Sequence, residues 1–172
     1  MREKRTFATW VEPIAAIYRE NRAALVAYAS SLPPGAWGLP SPDPGWTCKD
    51  VLSHVAADTG QNLHAALGAI IEGRPVPAAL FADFDGRNSR DVAERSRRSV
   101  TQLIEELIAA GEETQSLLAR LTAADEHRHE SGLRGALPDA LRALASHDAT
   151  HLEQLHSATQ AHAAAGELRT VN

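Results

Sequence analysis

The sequence predicts an all-α fold, a single four-helix bundle, and three observations carry that prediction. Alanine, leucine, glutamate and arginine are abundant while β-branched and aromatic residues are scarce, a composition that favours helices. Apolar residues recur at steps of three and four along four long stretches, and no stretch alternates in the manner of a strand. The 172 residues suit one domain over 1–172, large enough to bury roughly two thirds of its unfolded surface.

The first helix is marked by Phe7, Trp10, Val11, Ile14, Ile17, Tyr18, Leu25 and Tyr28, which share one helical face. Pro13 must lie in or near its first turn, because a proline deeper inside would kink it. The segment "SLPPGAWGLPSPDPG" then forbids a regular helix over about 31–45, leaving a linker whose order would come from Trp37 and Trp46.

Thr47 and Asp50 form a capping-box pattern that opens the second helix, and Gly73 ahead of Pro75 closes it. The third helix is expected to start with Asn88 as N-cap and Asp91 three positions on. Val92, Ser99, Leu103, Leu107, Ala110, Thr114, Leu117 and Leu121 then give one stripe to about 122. Pro138 suits the first turn of the fourth helix, which Leu141, Leu144, Leu152 and Leu155 carry toward Gly166.

Composition also excludes several classes. A net charge of −5 is ordinary, and the composition gives no hint of a nucleic-acid surface. The single cysteine, Cys48, permits neither a disulfide scaffold nor a cysteine-based zinc site, so a reducing cytoplasm is the expected compartment. The basic start "MREKRTFATWVEPIAA" lacks the apolar core of a signal peptide, and no run of about 18 apolar residues predicts a membrane span.

Among eight histidines, His147 and His151 stand apart. In "HDATHLEQL" they are four residues apart, so on a helix both rings lie on one face and can reach a common ion. They fall in the middle of the fourth helix, between Leu144 and Leu155, where two buried imidazoles need partners. His54, flanked by Val51 and Val55 on the second helix, reads alone as a core histidine; beside the pair it offers a third ligand. His127 and His129 fall in a charged loop, His162 near a helix end, His64 about three turns from His54, and His156 toward solvent.

Two motifs, "PGWTCKDVLSHVA" and "HDATHLEQL", make the chain resemble the DinB-like superfamily, which includes YfiT-type proteins and the N-terminal domains of mycothiol-dependent maleylpyruvate isomerases. The resemblance covers nearly the whole chain. It implies a four-helix bundle in which His54, His147 and His151 bind one divalent ion, zinc or nickel typically. It further implies either transfer of a low-molecular-weight thiol such as mycothiol or bacillithiol to a small electrophile, or hydrolysis by the same ion. A third implied role is a metal-binding stress or resistance protein without turnover. The first motif is closer to the isomerase branch and the second to the DinB and YfiT branch, so no substrate is specified.

Around these ligands, Asp50 and Asp58 stand four residues before and after His54, where either could orient its imidazole or Asp58 could approach the ion itself; otherwise Asp50 caps the helix and Asp58 lines the site. Glu153 turns away from the histidine face. Five arginines within 87–98 could attract an anion, though Asp91 and Glu94 among them favour a solvated face. Cys48 at a helix start is read as an inert thiol. Alanine-rich faces permit close packing of two copies, so a homodimer is expected.

Overall fold

The computed structural model describes residues 5–58, 62–129 and 135–170. Seven α-helices run through them: α1 (Glu12–Ser31), α2 (Cys48–Asp58), α3 (His64–Ile71), α4 (Phe84–Arg95), α5 (Val100–Leu118), α6 (Leu137–Ala145) and α7 (His147–Thr170). Two isolated bridges, Pro40 with Thr47 and His129 with Ala136, are the only β pairing among the described residues. None of the described helices is long and apolar enough to cross a membrane.

Helix α1 begins where expected. Pro13 sits in its first turn, where a missing N–H has no consequence, and Ala8 O accepts from Val11 N and Glu12 N at 2.9 and 3.1 Å. Its buried face runs through Ile14, Ala15, Tyr18, Arg22, Leu25 and Ala29. Ile17, expected on that face, is 39% exposed, because the side turned toward α5, α6 and α7 passes through Ala15, Tyr18 and Arg22 instead.

The third and fourth predicted helices are each divided. The second opens with the expected box: Asp50 Oδ2 accepts from Thr47 N at 2.9 Å, and Thr47 Oγ1 accepts from Asp50 N at 3.3 Å. Its described parts are α2 and α3, with 62–63 in a π-helical turn ahead of α3 and 59–61 outside the described residues. The end is as read, with Gly73 at φ 69° and bonds from Gly73 N to Ile70 O and from Arg74 N to Ala69 O. This is the left-handed glycine stop.

The third predicted helix is corrected at its start and its middle. Asn88 is no N-cap; it lies inside α4, which Asp83 precedes at φ 51°. The chain then leaves the helix at Ser96, whose hydroxyl bonds Ala93 O at 2.7 Å, and restarts at Ser99. There Ser99 Oγ accepts from Gln102 N while Gln102 Oε1 accepts from Ser99 N, at 3.1 and 2.8 Å.

The fourth predicted helix breaks at Ser146. Ser146 N closes α6 onto Arg142 O and Ala143 O, and Ser146 O opens α7 by accepting from Ala149 N and Thr150 N. His147 is therefore the first residue of α7, not a mid-helix residue as expected. The four-residue step to His151 survives, because both lie on α7.

Two apolar clusters fill the interior. One joins Trp10, Ile14, Leu67, Ile70, Leu118 and Leu141; the other joins Leu25, Trp37, Val51, Leu52, Leu107 and Leu155. On α1 a polar layer separates them. Arg22, 5% exposed, pairs with Asp148, 1% exposed, through Nε and Nη2 at 2.5 and 3.1 Å. It also donates from Nη1 to Leu107 O at 2.7 Å and from Nη2 to Tyr18 Oη at 2.8 Å. Gly111 leaves room for the arginine stem, since a Cβ there would stand 3.2 Å from Arg22 Cγ.

Candidate metal centre

Helix α2 delivers His54 and the first turns of α7 deliver His147 and His151. The Thr47–Asp50 cap fixes where α2 starts, and hence where His54 points. The potential donor nitrogens of the three rings all lie within 4.8 Å of one another. Ring centroids are 5.4 Å apart for His54 and His147, 4.9 Å for His54 and His151, and 4.3 Å for His147 and His151. His54 and His151 are buried and His147 half-buried.

The tautomer of His151 follows from its neighbours. Its Nδ1 lies 2.7 Å from Gln154 Oε1, and an amide oxygen only accepts, so the hydrogen is on Nδ1 and the neutral ring keeps a lone pair on Nε2. That Nε2 faces His147 Nε2 at 3.0 Å. Two imidazole nitrogens held about 2.0–2.1 Å from one ion, at right angles to tetrahedral, stand about 2.9–3.4 Å apart. The pair fits a shared cation.

Burial pushes the His151 pKa down to about 4, helped by the nearby His147, while Gln154, Asp43 and Asp148 act the other way. The ring is therefore neutral near pH 7, as a metal ligand must be. Asp43 reaches this position through the linker: Ser41 N bonds Trp46 O at 2.8 Å, Trp46 N bonds Asp43 O at 3.1 Å, and Cys48 N bonds Leu39 O at 2.9 Å. The same loop holds the Trp46 ring 5.3 Å from that of His54. Trp37 is buried and Trp46 packs on the second core cluster, so the expected tryptophan order of the linker is observed.

The supporting residues sort clearly. Asp50 spends its carboxylate on Thr47 N and Thr47 Oγ1, at 2.9 and 2.7 Å, and so caps rather than orients His54. The Asp58 side chain lies outside the described residues. Glu153 is exposed, as expected. Cys48 is fully buried, and burial raises its thiol pKa.

The arginine cluster is largely occupied. Arg95 and Arg98 pair with Glu106, Arg90 with Asp83 at 3.4 Å, and Arg87 Nη1 donates to Leu80 O. His64 stands away from the site, with Nε2 at 2.8 Å from Thr114 Oγ1 and 3.2 Å from Ala110 O. His156 is half-buried edge-on against Tyr28, centroids 4.0 Å apart, not simply turned to solvent: it lies one and a half turns beyond His151, on the side of α7 that meets α1.

Sequence reasoning missed Gln154, Asp43 and the Arg22–Asp148 pair. Gln154 was within reach, because it follows His151 by three residues and so shares its face. Arg22 left a fainter trace: the apolar stripe of α1 jumps from Tyr18 to Leu25, and Arg22 fills the missing buried position.

The family profile described as the DinB superfamily matches residues 17–155. No curated protein and no solved structure matches the chain.

Proposed function

The chain belongs to the DinB superfamily, and from that premise we propose that His54, His147 and His151 bind one divalent metal ion and that this centre transfers a low-molecular-weight thiol to a small electrophile. The observation that carries the reading is the convergence of three imidazoles, from segments almost a hundred residues apart, within 4.8 Å. Three imidazole nitrogen donors, with no fourth protein ligand among the described residues, suit a catalytic site with an open position. Zinc and nickel both accept imidazole, and availability selects between them.

A bound ion would supply Lewis acidity, lowering the pKa of a thiol or water beside it. The chain's own groups do the rest. Gln154 holds the proton of His151 on Nδ1, keeping Nε2 available. Trp46 and the adjoining core cluster shield His54 from water. Cys48, buried and with a raised pKa, is no nucleophile, so the attacking thiol comes from solution, as mycothiol or bacillithiol would.

The architecture we infer is a four-helix bundle with α1, α2–α3, α4–α5 and α6–α7 as its columns. The packing of α1 on α5, α6 and α7 and of α2 on α4, α5 and α7 supports it.

Hydrolysis is the second reading, favoured by Asp43: its carboxylate is near enough for its charge to act on His151, where it could take a proton from water. Metal analysis of the purified protein, with His147→Ala titrated in parallel, tests the centre. We expect one divalent ion per chain, lost in the variant; protein without a stoichiometric ion refutes it. Monochlorobimane turnover is then compared with mycothiol, bacillithiol, glutathione and water. Turnover with one thiol, unaffected by Asp43→Asn, supports transfer. Turnover with water alone, abolished by Asp43→Asn, supports hydrolysis, and an ion without turnover marks a metal-binding stress protein.

A further inference from the structure

His147 occupies the one ligand position that its own helix does not secure. Ser146 interrupts the helix immediately before it, so no continuous preceding turn fixes the direction in which its ring leaves the backbone. Both flanks of that break are instead tied to adjacent residues of α1. Asn21 Nδ2 donates to Ala145 O at 2.9 Å, and Arg22 grips the Asp148 carboxylate at two points, 2.5 and 3.1 Å. Arg22 is itself immobilised by Leu107 O and Tyr18 Oη, with Gly111 beside its stem.

We infer that Asn21, Arg22 and Asp148 form a clamp that positions His147 for metal binding, an inference that rests on the three-histidine reading above. None of the three is proposed to touch the ion; they act through the backbone on either side of Ser146. The burial of the pair argues for position rather than stability. Replacing a buried ion pair by apolar residues of similar volume is often neutral or stabilising, whereas a charged fork held at two points fixes orientation as well as contact. Stability and metal affinity should therefore separate when the pair is exchanged for an apolar one.

The test is cobalt(II) titration of the wild-type chain and of Arg22→Met/Asp148→Leu, following the visible absorption bands and the affinity, with circular dichroism and melting recorded on each. We expect the double variant to retain the wild-type helix content and melting behaviour, to bind cobalt about 10–100-fold more weakly, and to show displaced bands from altered ligand geometry. Wild-type affinity and bands in a folded double variant overturn the clamp and leave the metal centre standing. A wild-type chain that binds no cobalt overturns both. Should the double variant not fold, Arg22→Lys, which keeps the charge and loses the fork, gives the same comparison with the same refuting result.

Discussion

Acid should destabilise the metal-free protein through His151 in a window that its surroundings define. A free histidine protonates near 6.5, whereas burial and the neighbouring His147 hold the folded ring down to about 4. Between those values the unfolded chain binds a proton that the folded chain refuses, so stability falls as pH falls. The penalty is absent above the upper value and reaches its limit below the lower one. At about 1.36 kcal/mol per pH unit, the full gap is worth about 3 kcal/mol, a large share of the roughly 5–15 kcal/mol that holds a domain together. Urea unfolding followed by circular dichroism, with a chelator present, measures it for the wild type and His151→Leu. His64, whose pKa burial also lowers, contributes equally to both chains, and the difference isolates His151. Parallel loss of stability in the two chains between pH 6.5 and 4 would refute the reasoning.

Three further outcomes are expected. Gly111→Ala, usually stabilising inside a helix, should here lower stability by about 1 kcal/mol, because the added Cβ meets Arg22 Cγ at 3.2 Å and Arg22 is pinned by its bonds; a higher unfolding midpoint would contradict this. Ser99→Ala removes the cap of α5 and should cost about 1 kcal/mol, measured by urea unfolding. Gln154→Leu frees the His151 tautomer and should weaken divalent-ion affinity about 10–100-fold by calorimetric titration, with the fold retained.

What the sequence disclosed was what neighbouring residues decide between themselves. The Thr47–Asp50 box, the Gly73 stop and the place of Pro13 are local bargains of backbone geometry. The breaks at 96–99 and at Ser146 were hidden by rhythm: Ser99 keeps the step between Val92 and Leu103, so an apolar stripe runs across a helix that does not. Its capping partner Gln102 was readable, but periodicity outweighed it. The histidine trio was legible because a four-residue step and a resembling motif announced it. Arg22 and Asp148 were not, since each looks like ordinary surface charge until a partner 126 residues away is brought against it.

The three histidines lie far apart along the sequence, at residue 54 and at 147 and 151, and this imposes an order of assembly. A chain emerging from synthesis carries His54 long before it carries α7, and during that interval it offers a single imidazole, too weak a ligand to capture a passing ion. The three rings come together only when α7 docks. Capture of any ion by all three rings is thereby deferred until the helices that carry them have packed together.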